Sequence, residues 1–379
     1  MNNSLKLFAV RGVDIRLHFT FPLVLLFAAL QFGLLAGSVQ GALFGLSAIS
    51  ILFVIVTLHE LGHTLAAQRY GVEVKQIVLS PLGGVAQLRA MPEKPAQELV
   101  IAAAGPAVNL VLAVVMLVAA RAVGLSLPSL SMSLPGVRDF GPGALFAYVF
   151  AANLLLAAFN LLPAFPLDGG RIFRAVLALR LDYVRATTIA AAVGRAAAFA
   201  LGIYGLATGS IFTILIAFFI FSAAGQEAQY VRYRRLLEGY TVQHAYSPAA
   251  YRLEPHMTLR QAADLMLLGG QKSFAVVQNE ALAGFLPGPD LVRALQTRPP
   301  FTAVVELMRR DVEPVLPREE LIDVERRMVE EQLESLPVVA DGRYLGLITH
   351  DQIDTLRRVA WRAAPRVSPL SSAANSPAN

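Results

Sequence analysis

Long apolar segments fill most of the first 230 residues and restrict what this chain can fold into. Six of them, each near the roughly 20 residues that a helix needs to cross a bilayer, lie at about 18–36, 42–69, 97–120, 143–180, 186–206 and 210–230. Only 16% of the 379 residues are charged, whereas soluble proteins average about a quarter. The sequence predicts an α-helical polytopic membrane domain of six transmembrane helices over residues 1–238, followed by a soluble domain.

The first segment also has a feature of a secretory signal peptide, because Ala36-Gly37-Ser38 forms a weak cleavage site. Its apolar run is long for a signal peptide, so we predict a retained helix. The chain has no cysteine, which excludes disulfides and cysteine metal sites.

Basic residues flank the apolar segments unequally. One set of connections holds Lys6, Arg11, Arg16, Arg69, Lys75, Arg89, Lys94, Arg171, Arg174, Arg180, Arg185, Arg232, Arg234 and Arg235. The other set holds only Arg121 and Arg138. Cytoplasmic connections carry the excess of Lys and Arg, so both termini of this multi-pass protein are predicted to be cytoplasmic, at the cell membrane if the source is prokaryotic. This placement also accounts for the net charge of +5 without a nucleic-acid partner.

The second segment ends in an unusual polar motif, His59-Glu60-Leu61-Gly62-His63. Residues four apart share one face of a helix, so both imidazoles can reach one metal ion. The Glu60 carboxylate lies beside them and can take a proton from a metal-activated water. The alternative is a pair of structural histidines at a helix end, although ionisable groups within a span are rarely without a function.

A catalytic zinc site needs a third protein ligand, for which Asp168 is the best candidate in the membrane half. It lies in NLLPAFPLDGG (160–170), where Pro163 and Pro166 interrupt the fourth segment. Irregular backbone at membrane depth is tolerated only where protein or water satisfies it, as in a buried site. The alternative is that Asp168 only caps a following helix at 170–180.

A strand pair is predicted between the second and third segments, in VEVKQIVLSPLGGVAQL (72–88). Its β-branched residues alternate in part, and Pro-Leu-Gly-Gly breaks it in the middle. We expect a small β-hairpin associated with the membrane surface, the alternative being an ordinary loop.

The soluble half contains an internal repeat of about 55–60 residues. Helix and strand patterns recur in the same order over 239–300 and 301–361, so each copy is predicted to be an α/β repeat. Asp341-Gly342 predicts a tight hairpin turn in the second copy. The small, polar residues 362–379 predict a disordered tail.

The motifs of the membrane half together resemble the site-2 protease family of intramembrane zinc metalloproteases. The resemblance is carried by HExxH at 59–63, by NxxPxxPLDGG at 160–170, and by AAAGPAVNL at 102–110, which resembles the family's G-x-x-x-N element. The repeated half resembles the tandem CBS pair that one branch of that family carries.

This resemblance implies one zinc ion per chain, with His59, His63 and Asp168 as ligands and Glu60 as the catalytic base. It implies substrate handling or transition-state stabilisation for Asn109 and Asn160, although an asparagine in a span often makes only an interhelical hydrogen bond. The implied activity is hydrolysis of single-span helical membrane proteins near the cytoplasmic face. Such a helix must unwind first, and the strand pair could hold it extended by edge-strand addition.

CBS modules that bind adenine nucleotides usually carry a seven-residue pattern: Gly, two apolar residues, Thr or Ser, any two residues, and Asp. Neither copy in the CBS-like half matches this pattern completely. The first copy keeps Asp290 but has Pro287 at the Thr position, and the second keeps Thr349 but has Gln352 at the Asp position. Adenine nucleotide is therefore a doubtful ligand, with Asp290 and Thr349 as weak candidates. We expect this half to regulate access or to form a homodimer.

Two non-enzymatic functions compete with the protease. A metal transporter would also place His and Asp in spans, but it has no need of Glu60. A CBS-regulated channel would explain the soluble half, but not the interrupted segment around Asp168.

The predicted topology can be tested by labelling single cysteines, because the chain has none of its own. A membrane-impermeant thiol reagent added outside should label cysteines placed within 128–138 and should not label those within 85–94 or at 240. The reverse pattern would overturn the orientation.

Overall fold

The computed structural model describes residues 4–80, 83–88, 94–124 and 140–363. It divides into two compact units, one up to Gln229 and one from Tyr230 onward. The predicted tail beyond residue 363 and the connection that holds Arg138 lie outside the described residues. The repeat boundaries at 300 and 361 stay predictions.

Apolar helices make up most of the first unit, as the sequence predicts. They are α1 (Phe21–Ala36), α2 (Val39–Arg69), α3 (Pro95–Ala122), α4 (Pro142–Asn160), α6 (Tyr183–Thr208) and α7 (Ile211–Leu237). Five of these are long and apolar enough to cross a membrane, whereas α1 has only 16 residues. The predicted fold class, a multi-pass helical membrane domain followed by an α/β domain, is confirmed.

The short helix α1 packs closely against α2 through glycines. A Cβ at Gly45 would lie 2.9 Å from the Phe32 ring, and one at Gly33 would lie 3.2 Å from Ala42. The helix begins at Phe21 rather than at residue 18, because His18 ends a strand and residues 19–20 form a turn.

The predicted fourth segment is interrupted where its prolines predict a break. Helix α4 ends at Asn160, and a separate helix α5 (Asp168–Ala178) starts after the non-helical stretch 161–167. A Cβ at Gly170 would lie 2.6 Å from the backbone of Ala164 and Phe165. Glycine there lets the first turn of α5 pack directly on the interrupted stretch, which fixes where the helix begins.

The strands of the first unit form a four-stranded sheet rather than the hairpin alone. In spatial order they are β1 (Ser4–Val10), β2 (Val13–His18), β3 (Val74–Ser80) and β4 (Gly83–Leu88). The predicted pair is β3 and β4, which run antiparallel, while β2 runs parallel to β3. Val13, Ile15 and Ile77 are fully buried and form the core of the sheet with α2 and α3. Strand β4 is left at an edge.

The second unit contains two similar groups of helices and strands. The first consists of β5 (Arg252–Leu253), α8 (Leu259–Gly269), β6 (Phe274–Gln278), β7 (Ala281–Leu286) and α9 (Gly288–Thr297). The second consists of α10 (Leu321–Glu330), β8 (Ser335–Ala340), β9 (Arg343–Thr349) and α11 (His350–Ala363). Asp341 and Gly342 both have positive φ, 50° and 76°, so the predicted Asp-Gly turn joins β8 to β9. Val315 forms an isolated parallel bridge to Val338 of β8.

Candidate metal centre

Helix α2 carries both histidines of the motif on the face that packs against α3. His59 is 5% exposed and belongs to the buried interior. A Cβ at Gly62 would lie 2.9 Å from the Ala104 carbonyl oxygen, so glycine there allows the two helices to approach closely. The side chains of His59 and His63 are thus largely enclosed by protein.

Three side chains converge on one point between α2 and the start of α5. The Asp168 Oδ2 atom lies 3.1 Å from His59 Nε2 and 3.2 Å from His63 Nε2, and the two Nε2 atoms are 3.1 Å apart. Tetrahedral ligands about 2.0–2.1 Å from a zinc ion would be about 3.3 Å apart. The spacing of the three atoms therefore suits a single small cation.

The Nδ1 atom of each imidazole has a hydrogen-bond acceptor, which determines the tautomer of each ring. His63 Nδ1–H donates to the Ile101 carbonyl oxygen at 2.7 Å, and His59 Nδ1–H donates to Asn109 Oδ1 at 3.2 Å. With these protons on Nδ1, each Nε2 presents a lone pair to the Asp168 carboxylate. Three electron-rich atoms within contact of one another repel unless a cation lies between them. The residues therefore fit a metal ion.

Asp168 is the first residue of α5, so Leu167 and not Asp168 occupies the N-cap position of that helix. The carboxylate is directed at the two histidines instead. The capping alternative therefore does not account for its position.

Gly105 on α3 closes the site from the other side. A Cβ on this residue would lie 2.6 Å from His59 Nε2, which is closer than carbon and nitrogen can approach. Any side chain here would occupy the space between the metal-facing nitrogens. The two imidazoles need this space, which explains why the G-x-x-x-N element begins with glycine.

Glu60 projects toward the edge strand β4. A Cβ at Gly84 would lie 3.1 Å from Glu60 Cδ and 3.2 Å from Oε1. Glycine at that position leaves the carboxylate space beside the strand. The sheet edge and the candidate base are therefore neighbours.

The asparagines differ in their surroundings. Asn109 is fully buried, and within the described ranges its Nδ2 has no hydrogen-bond partner. Its backbone oxygen accepts a hydrogen bond from Asn153 Nδ2 on α4, at 2.9 Å. The sequence reasoning missed Asn153, because a single polar residue in an apolar segment does not reveal its partner. Asn160 is half-buried at the end of α4.

Asp290 and Thr349 of the second unit have different hydrogen-bond partners. Asp290 accepts a hydrogen bond from Arg309 Nε at 2.7 Å. Thr349 instead borders a cleft of about 460 Å³ that Asp290 does not line. Within that cleft Thr349 and Gln352 bond to each other's backbone, with Thr349 N–H to Gln352 Oε1 at 2.9 Å and Gln352 N–H to Thr349 Oγ1 at 3.2 Å.

Comparison with known proteins agrees with this geometry. The profile of peptidase family M50 matches residues 47–202. A zinc metalloprotease of Methanocaldococcus jannaschii is 33% identical over 285 residues, covering 75% of this chain and 78% of the relative. The chain belongs to peptidase family M50. The matched residues include the HExxH motif and the segment that contains Asp168.

Further relatives extend the match along the chain. A protein of Synechocystis sp. is 30% identical over 370 residues, covering 92% of this chain and 94% of that protein. The solved structure of a site-2 protease from Methanocaldococcus jannaschii is 35% identical, covers 59% of this chain and 95% of that one, and has a TM-score of 0.43. The CBS domain profile matches residues 304–356. This M50 protein is thus a membrane protein of a zinc metalloprotease family with a CBS domain.

The role of Gly105 can be tested with the smallest possible side chain. Gly105→Ala should weaken zinc binding at least tenfold, because the added methyl group overlaps the space between the two Nε2 atoms. Gly202→Ala, in the apolar helix α6, is the matched control, since its Cβ would make only an ordinary contact of 3.7 Å with Ala217. Zinc affinity is measured by competition with a chromophoric chelator on purified protein. Equal zinc affinity in the Gly105 and Gly202 variants would contradict the geometry.

Proposed function

We propose that this chain is a zinc-dependent intramembrane endopeptidase that hydrolyses a peptide bond in single-span helical substrates near the cytoplasmic face. The observation that carries the proposal is the convergence of His59, His63 and Asp168 beside Glu60, within helices long and apolar enough to lie in a membrane. Membership in a family with zinc metalloprotease relatives supports one zinc ion per chain. It also favours a peptidase over a metal transporter or a channel.

His59, His63 and Asp168 would hold the zinc ion and leave a fourth position for water or substrate. Zinc in such a site lowers the pKa of water and polarises a carbonyl group. The Glu60 carboxylate takes a proton from the attacking water and passes it to the nitrogen of the departing amine. Because Glu60 has no role in holding the ion, its proposed contribution is separate from metal binding.

The substrate backbone is proposed to pair with the edge of β4. A helix hides its carbonyl groups in i to i−4 hydrogen bonds, so the cleaved stretch must unwind. An unwound stretch in a membrane needs other partners for its backbone groups, and an edge strand offers a row of them. Gly84 of β4 lies against Glu60, so a chain paired there passes the candidate base.

Asn109 is assigned two contacts in this proposal. Its Oδ1 orients the His59 ring, as the hydrogen bond to Nδ1 indicates. Its buried Nδ2 has no partner in the described part of the chain, which leaves a donor for a substrate carbonyl oxygen. Among the described residues no contact supports a specific role for Asn160, and its part in substrate handling remains a prediction from the family resemblance.

The orientation completes the proposal, with both termini in the cytoplasm. The motif lies six to ten residues before the end of α2 at Arg69, which is about 9–15 Å along the helix. If that end is cytoplasmic, as the basic residues indicate, the metal centre lies in the inner half of the bilayer. The lipid bilayer is then a permanent partner of the chain.

The CBS-like half is proposed as a regulatory or dimerisation unit. It has large apolar side chains on its surface, among which Leu268 on α8 is 86% exposed and Trp361 on α11 is 56% exposed. A second copy of the chain could cover such surfaces. We propose residues 239–300 and 301–361 as its two repeats.

Separating the base from the ligands tests the proposed chemistry. Glu60→Gln should bind zinc like the parent but lose about 10²- to 10⁴-fold in cleavage rate, because it removes a general base and no ligand. Asp168→Ala should lose both zinc affinity and cleavage, because two histidines leave the site one ligand short. Both are measured in proteoliposomes with a single-span reporter helix that the parent cleaves. If the zinc-loaded Glu60 variant still cleaves the reporter at the parent's rate, the proposed mechanism is wrong.

Nucleotide binding should be weak, because Gln352 stands where the usual pattern has Asp, and its side chain is hydrogen-bonded to the backbone of Thr349. Isothermal titration of the full-length protein with ATP, ADP and AMP should give dissociation constants above the micromolar range. Gln352→Asp, which restores the acidic residue of the usual pattern, should tighten binding at least tenfold. Micromolar or tighter binding by the parent would show that Asp290 and Thr349 suffice.

A further inference from the structure

A buried cluster of charges lies outside the metal centre of the first unit. Arg174 on α5 and Glu98 on α3 are each only 1% exposed. Arg174 Nε donates to Glu98 Oε1 at 2.9 Å, and its Nη2 group donates to the same oxygen. Its Nη1 group pairs with Glu227 on α7. The topology prediction counted Arg174 among the residues that flank the spans, whereas the side chain points into the bundle.

Aromatic rings enclose the same guanidinium. Its central carbon lies 4.9 Å from the centre of the Phe165 ring and 5.0 Å from that of Tyr183. Phe165 belongs to the interrupted stretch before α5, and Tyr183 begins α6. The cation is therefore held by groups from four different segments. A guanidinium has a rigid planar fork of donors, so these contacts restrict its orientation as well as its position.

This restriction bears on Asp168 because both residues lie on the same short helix. Helix α5 has 11 residues, with Asp168 at its first position and Arg174 six residues later. The two are separated by about 9 Å along a rigid axis, so a shift or rotation of the helix at Arg174 also moves the carboxylate. A metal site tolerates displacements of only about 0.5 Å.

We propose that Arg174 is a positioning residue, which Glu98 and Glu227 hold so that α5 presents Asp168 to the metal ion. The inference rests on the proposed metal site. It goes beyond that site because it assigns the geometry of the third ligand to a charge cluster that touches neither the metal nor the substrate. Removing the Arg174 guanidinium should weaken metal binding even in a protein that remains folded.

The first test is Arg174→Gln in the full-length protein, with zinc affinity measured by chelator competition. We expect the dissociation constant for zinc to rise at least tenfold. Arg180→Gln is the matched control, because it makes the same charge change at an exposed residue just beyond the end of α5, and its zinc affinity should stay within twofold of the parent. Equal zinc affinity of the Arg174 variant and the parent overturns the inference.

Two further variants keep the test decisive if Arg174→Gln does not fold, since removing one partner of a buried ion pair leaves the other charge uncompensated. Glu98→Gln with Arg174→Met removes both buried charges, and such replacements often preserve stability. This double variant should melt near the parent without metal, yet bind zinc at least tenfold more weakly. Glu227→Gln, at a residue whose side chain is 30% exposed, is milder and should weaken zinc binding about threefold. Parent-like zinc affinity in either folded variant overturns the inference.

An Asp168→Ala arm separates this inference from the proposed site. If that variant binds zinc weakly while the Arg174 variants bind it normally, the site stands and the positioning role fails. If Asp168→Ala binds zinc as tightly as the parent, the site as proposed fails and the positioning role fails with it.

Discussion

The mutual approach of His59 Nε2, His63 Nε2 and Asp168 Oδ2 governs the architecture of the first unit. The three atoms lie 3.1–3.2 Å apart in the interior of a helical bundle, where unpaired polar groups are costly. Their arrangement becomes favourable only around a cation. The surrounding chain must then bring two histidines of one helix to a carboxylate more than a hundred residues later, and must keep other side chains out.

Small residues and an interrupted helix meet these requirements. Gly105 leaves room for the imidazoles, and Gly62 lets α2 and α3 approach each other. The non-helical stretch 161–167 ends one helix and starts another at Asp168, so the carboxylate is placed at a helix start. Arg174 then fixes that short helix against α3 and α7 through Glu98 and Glu227. The buried charges of Arg174 and Glu98 thus help to place Asp168 at the metal centre.

Local patterns in the sequence predicted much of this arrangement. The spacing of His59 and His63 follows from the helical repeat alone, and Pro163 and Pro166 locate the break before Asp168. The apolar segments predicted most helix ends of the first unit to within three residues, but the fourth segment is divided into two helices and α7 runs on to Leu237, seven residues past its predicted end. These features depend on neighbouring residues, which is why a single sequence reveals them.

Features that depend on distant partners were not predicted. Strands β1 and β2 were missed because Lys6 and Arg16 were interpreted only as charges that flank a span, although Val13, Ile15 and Leu17 alternate as in a half-buried strand. The burial of Arg174 could not be foreseen, since its partners lie on two other helices. The bond from Asn153 to the backbone of Asn109 is of the same kind. Tertiary contacts decide such cases.

X-ray absorption at the zinc edge of the purified protein tests directly whether His59 and His63 bind the ion. We expect a first shell of nitrogen and oxygen atoms at about 2.0–2.1 Å, with the outer-shell signal of two imidazoles. That outer-shell signal should fall to one imidazole in His63→Ala. A zinc environment without imidazole scattering, or one that His63→Ala leaves unchanged, would contradict the account.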